Sequence, residues 1–135
     1  MARRISREDQ VSAEIDLAHS HGEVRLLRNN VGVLVDRTGR PVAYGLGSKG
    51  AKPLKGTSDK IGWRSVTVTP EMVGRRMAVF VAIEEKDLAN PTPDQLRFIA
   101  NVQAAGGLAG VAHNADEAGA ILYPAWLPDA EYPTP

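Results

Sequence analysis

The run Met77-Ala-Val-Phe-Val-Ala-Ile83 constrains the fold of this chain more than any other segment. An unbroken apolar stretch rich in Val, Phe and Ile reads as a central strand covered on both faces. Thr92-Pro-Asp-Gln95 then opens a helix, with Thr as cap, Pro in the first turn and Gln three residues on. Leu96, Ile99 and Val102 supply its buried stripe with Phe98 on the flank, and Gly106-Gly107 stops it. Leu108-Ala-Gly-Val-Ala112 is a second strand, and Asn114-Ala-Asp-Glu117 caps a final helix ending near Leu122. Strand, helix and strand in this order imply a parallel pair with a right-handed crossover.

Upstream, Ser6-Arg-Glu-Asp9 has the form of a helix start. Val11, Ile15 and Ala18 give that helix an apolar stripe that ends near Gly22. His19 and His21 fall in its last turn, where the helix dipole favours a cation. Val31–Asp36 and Pro41–Leu46, around a Gly-containing turn, read as a β-hairpin. Gly45 to Gly56, with Lys49, Lys52 and Lys55, reads as a mobile basic loop. Ile61–Trp63 and Val66–Val68 are strand-like, and Pro70–Gly74 is a turn. The expected architecture is a compact α/β domain over residues 1–122, a mixed β-sheet flanked by helices. Residues 123–135 form a Pro-rich tail.

The chain of 135 residues has no cysteine, which excludes disulfides, thiolate zinc sites and a cysteine nucleophile. No apolar stretch is long enough to span a bilayer, so a cytoplasmic protein without a membrane partner is expected. The formal net charge of zero hides an asymmetry. Residues 1–64 hold 12 of the 16 basic residues and 7 of the 16 acids, a surplus of five positive charges. Two readings stay open: a basic surface for an anionic partner such as nucleic acid, or ordinary solvated charge.

The chemistry gathers at Ala82-Ile-Glu84-Glu85-Lys86, where the apolar strand ends in two acids and a lysine. Alternation puts Glu84 and Lys86 on one face and Glu85 on the other. Asp59, 25 residues earlier, stands where a Gly/Lys loop meets a strand. An Asp followed by E-x-K suits phosphodiester hydrolysis. Two carboxylates hold a hard divalent cation, Mg²⁺ or Mn²⁺, and an ammonium positions the nucleophile or steadies developing charge. The Glu85 backbone carbonyl can complete the ligand set.

Gly-Thr-Ser-Asp59, Val-Ala-Ile-Glu84-Glu-Lys86, Thr92-Pro-Asp-Gln95 and Gly106-Gly107…Gly110-Val-Ala, in this order, resemble the virus-type replication-repair nuclease (VRR-NUC) domain. That family belongs to the PD-(D/E)xK nuclease superfamily, and the likeness runs from about Glu14 to about Leu122. Ser58 stands where the superfamily name has Pro. The resemblance implies a PD-(D/E)xK-like restriction-endonuclease fold and a metal-dependent endonuclease selective for branched DNA, acting as a homodimer. It implies Asp59 and Glu84 as metal ligands, Lys86 as the catalytic lysine and Gln95 as a further active-site residue that a capping box would equally explain. Glu14 matches the acid of the family's first helix, with an ordinary exposed glutamate as the alternative. Arg28-Asn-Asn30 matches a segment near the substrate backbone, with a plain turn as the alternative. Lys49, Lys52, Lys55 and Lys60 would add sequence-independent phosphate contacts to those of Arg28 and Asn30.

A non-catalytic DNA-binding or assembly subunit of the same fold is the chief rival, although it would need none of Asp59, Glu84 and Lys86. An RNA-directed or single-strand nuclease would favour stacked aromatics, and these make up only 5% of the chain. A metal-independent hydrolase lacks a recognisable nucleophile.

Overall fold

The fold is described from a computed structural model over residues 5–53 and 56–127. The chain is mixed α/β and divides into two compact units, Met1–Arg64 and Ser65–Pro135. Its strands pair two by two in place of the one mixed sheet expected. Strands of four or five residues, joined by Gly- and Pro-rich links, leave little length for further pairing.

The first unit opens with α1 (Arg7–His19), capped as expected by Ser6, whose hydroxyl accepts the Asp9 amide at 3.0 Å. Its apolar stripe does not bury: Val11 is 37% exposed and Ile15 39%. Ser12, Glu14 and Asp16 interrupt every face, so the helix has little to press into a core. Within its unit α1 packs against β1 (Val24–Arg28), which pairs antiparallel with β4 (Lys60–Arg64). Leu26 faces Gly62 in that ladder, and a Cβ at 62 would collide with the Arg25 carbonyl oxygen. The strand expected at 66–68 does not form.

The expected hairpin is present as β2 (Gly32–Val35) and β3 (Pro41–Tyr44), in antiparallel register. Asp36 builds its turn: one carboxylate oxygen accepts the Thr38 hydroxyl at 2.6 Å and the amides of Thr38 and Arg40 at 2.8 and 3.0 Å. The Thr38 hydroxyl bond, followed by the Arg40 amide, holds the Asp36 carboxyl below its ordinary value. A depressed carboxylate stabilises the turn above its unfolded pKa, about 3.9, and that contribution is lost as pH falls through the lower folded value. In an acid titration followed by NMR, the Thr38 amide is therefore expected to move with a midpoint below about 3.9. Asp36→Asn should abolish the step, and a midpoint at or above the free value would contradict this account of the turn.

In the second unit β5 (Val81–Glu85) and β6 (Leu108–Ala112) pair in parallel, with α2 (Pro93–Ala104) between them in sequence as expected. The capping box forms in full: the Thr92 hydroxyl accepts the Gln95 amide and the Gln95 side chain accepts the Thr92 amide. Asn114 caps α3 (Ala115–Leu122) by accepting the Glu117 amide at 2.9 Å. The buried apolar residues, among those described, are Ile99, Val102, Leu108, Ala109 and Ala112, where α2 lies against β6. The expected central strand is shorter and less covered than its composition suggested. It spans 81–85 rather than 77–83, and Met77 and Val81 stand 51% and 47% exposed. Within the unit β5 pairs with β6 alone among the described strands, so it is one half of a two-stranded pair rather than a central strand, although α2 and α3 both contact it. No helix among the described residues is long and apolar enough to cross a membrane.

Candidate active site

The C-terminal end of β5 brings Glu84, Lys86 and Gln95 together in the second unit. Alternation along the strand sends Glu84 toward α2, where it lines a groove of about 300 Å³ with Ala82, Asp94, Gln95, Phe98 and Ile99. Gln95 Nε2 donates to Glu84 Oε1 at 2.6 Å, and Lys86 Nζ lies 3.0 Å from the same oxygen. The Gln95 head is itself fixed, because its carbonyl oxygen accepts the Thr92 amide at 2.8 Å. The cap at the start of α2 and the contact with Glu84 thus rest on one side chain. Glu84 and Lys86 side chains are 28% and 16% exposed, which makes them a half-buried pair rather than a solvated strand end. Both donors fall on Oε1, so Oε2 accepts from neither of them. Carboxylate oxygen is the donor type that a hard divalent cation takes.

A larger cleft, about 460 Å³, lies on the other side of β5 against the start of α3, lined by Glu85, Lys86, Asp87, His113 and Asn114 among others, so that Lys86 borders this cleft while its Nζ reaches Glu84. The Glu84 carboxylate belongs to the smaller groove, and chemistry rather than size selects it as the candidate site. His113, exposed just after the end of β6, closes a clasp. Its backbone amide donates to Glu117 Oε2 and its Nδ1 lies 2.8 Å from the same atom. The backbone bond from His113 is the main reason the Glu117 carboxyl sits below its ordinary value.

The remaining expected residues belong to the first unit. Asp59 is exposed just before β4, and its carbonyl oxygen accepts the Asn29 amide at 2.8 Å. Glu14 is exposed and lies 3.7 Å from Arg7. The helix acid tied to the start of β4 is Asp16, 2.7 Å from Lys60 Nζ. Lys60, expected as a phosphate contact, therefore has an intrachain partner and a side chain only 14% exposed. Arg28 donates through Nε to Asn30 Oδ1 at 2.9 Å and lies 3.9 Å from Asp9. Lys49 and Lys52 are exposed, and their backbones exchange two hydrogen bonds of 3.0 and 2.9 Å. The basic segment is thus tied into a turn where loose chain was expected. Lys55 and the end of the Pro-rich tail lie outside the described residues.

Within neither unit do three or more His, Asp or Glu side chains gather as a metal nest among the described residues. Sequence reasoning missed Asp16, the long-range contacts of Asn29 inside the Arg28–Asn30 segment, and the His113–Glu117 clasp, whose i,i+4 spacing was its available signal. No protein-family model, curated protein or solved structure matches the chain.

Proposed function

We propose that this chain is a metal-dependent DNA endonuclease of the PD-(D/E)xK type, similar to VRR-NUC domains, that hydrolyses phosphodiesters in branched DNA. The observation that carries the reading is the half-buried Glu84–Lys86 pair at a strand end, with Gln95 anchoring the acid. Holding a lysine beside a glutamate out of bulk water costs desolvation, and a purely structural strand end gains little from it.

Asp59, Glu84 and the Glu85 carbonyl are the proposed ligands for Mg²⁺ or Mn²⁺, with Glu14 as a further acid on the same helix as Asp16. When bound, the cation supplies polarisation of the scissile phosphate and a water of lowered pKa. Lys86 then contributes a fixed ammonium beside the reacting phosphate, where it orients the nucleophile and offsets developing negative charge. Gln95 holds Glu84 in one rotamer, so the acid is presented rather than left to swing. Lys49, Lys52 and Arg28 supply phosphate contacts without reading sequence.

We assign the active species as a homodimer in the cytoplasm. Leu34 and Val35 on the two faces of the β2–β3 hairpin are 66% and 67% exposed, and a lone two-stranded hairpin is marginal in water. Two copies would also provide two sites for two strands.

Labelled four-way junction, flap, duplex and single-stranded DNA, incubated with Mg²⁺, test the reading. Cutting of the branched substrates ahead of the others is expected. Binding without cutting would instead identify a non-catalytic DNA-binding subunit. The salt dependence of binding supplies a second prediction. Lys49→Ala with Lys52→Ala should weaken affinity equally for all sequences and reduce the slope of log K against log salt by about 2. An unchanged slope would remove these lysines from the interface.

A further inference from the structure

Asn29, between β1 and β2, makes three hydrogen bonds that together grip both ends of the lysine-bearing segment. Its Oδ1 accepts the Leu46 amide at 3.1 Å, where the chain leaves β3. Its Nδ2 donates to the Ser58 carbonyl at 2.8 Å, and its backbone amide donates to the Asp59 carbonyl at 2.8 Å, where the chain returns. A side-chain amide accepts through its oxygen and donates through its nitrogen, so one planar group spans both strands of a loop neck. Aspartate would only accept, and alanine would do neither.

The packing beside it agrees. Gly45 has φ +99°, and a Cβ there would lie 2.5 Å from the Asn30 carbonyl oxygen. The departing chain is therefore pressed against the backbone that carries Asn29. Beyond the neck the segment folds on itself, with the Ala43 amide on the Gly50 carbonyl at 2.8 Å and the Ser48 hydroxyl on the Tyr44 carbonyl at 2.9 Å. Lys49 and Lys52 thus hang from a closed sub-loop whose root is Asn29.

We propose that Asn29 is a positioning residue: it fixes the loop bearing Lys49 and Lys52 in register with Asp59, so that phosphate binding and the Asp59 carboxylate address the same stretch of DNA backbone. The inference rests on the nuclease reading for its consequence, while the latch itself can be measured without DNA. Limited trypsin digestion of the full chain, followed by mass spectrometry, reads the rate of cutting after Lys49, the Lys52–Pro53 bond being resistant to trypsin. Asn29→Ala should raise that rate tenfold or more, with cutting after Arg97 in the second unit unchanged. Asn29→Asp, which keeps the acceptor for Leu46, should fall between. Unchanged rates in both variants overturn the latch. Cutting in both variants that spreads equally to Arg25 and Arg28 overturns it too, since Asn29 would then merely hold up the fold.

The second readout separates affinity from turnover. Asn29→Ala should lower the single-turnover rate of junction cleavage at least tenfold while junction affinity changes less than threefold. A variant with an opened loop that cuts at the wild-type rate overturns the positioning role. If the wild-type protein cuts no DNA but the loop opens as expected, the latch stands and the nuclease reading falls.

Discussion

Lys86→Ala is expected to lower the single-turnover rate of Mg²⁺-dependent junction cleavage by a factor on the order of 10²–10⁴, the range seen when one positioned charge or proton-transfer group is removed. DNA affinity should stay within about twofold, because a single buried ammonium contributes little to a contact made mainly by exposed lysines. Lys86→Met separates charge from packing, since it keeps most of the apolar stem and loses only the ammonium. Both variants should lose activity alike. Lys86→Arg should restore little, because a planar guanidinium does not occupy the place of a point charge 3.0 Å from Glu84 Oε1. Folding is the control: Gln95 still donates to Glu84, so the loss of stability should be modest, about 1 kcal/mol, as for partly exposed pairs. Wild-type cleavage by a folded Lys86→Met protein would reduce the Glu84–Lys86 pair to a structural contact.

Val102→Asp is expected to abolish cooperative folding of the second unit. Val102 is 0% exposed among Ile99, Leu108 and the other core residues of α2 and β6. An unpaired carboxylate there costs upward of about 4 kcal/mol, a large share of the roughly 5–15 kcal/mol that stabilises an ordinary domain. Because α2 also carries Gln95, the same change should release Glu84 from its anchor and remove any activity with the fold. Val102→Ala is the graded control, with an expected loss of about 1–3 kcal/mol from missing transfer energy and a small cavity. Urea denaturation followed by circular dichroism distinguishes the two. A Val102→Asp midpoint equal to wild type would mean that this side chain does not sit in a packed core.

The parts legible in the sequence are the ones written locally. Thr92 and Gln95 announce a capping box three residues apart, and the box forms. Asn114 announces the start of α3 in the same way. The parallel pairing of β5 with β6 follows from strand, helix and strand in a short span. Glu84 and Lys86 converge because a strand alternates, which needs no knowledge of the partner strand. What escaped depends on distant partners. Val24-Arg-Leu-Leu-Arg28 lacks clean alternation and becomes β1 only by pairing with β4, with Val24 opposite Arg64. The Asp16–Lys60 pair joins residues 44 apart, and Asn29 reaches Ser58 across 29. The apolar composition of Met77–Ile83 misled in the other direction. Hydrophobicity measures what a segment could bury, whereas strand length is set by the partner backbone, and β6 offers five residues.

The central proposal is that DNA cleavage by this chain would depend on a divalent cation, with Glu84 and Asp59 each as carboxylate ligands to it. Its most direct test is the Mg²⁺ and Mn²⁺ dependence of four-way-junction cleavage by the wild-type protein beside Glu84→Gln and Asp59→Asn. Cutting should require the metal and stop in EDTA. Each substitution should lower the rate at least a hundredfold or shift the half-saturating metal concentration upward, with junction binding retained. Cutting that persists in EDTA, variants as active as wild type, or a folded wild-type protein that binds the junction and never cuts it would each contradict the claim.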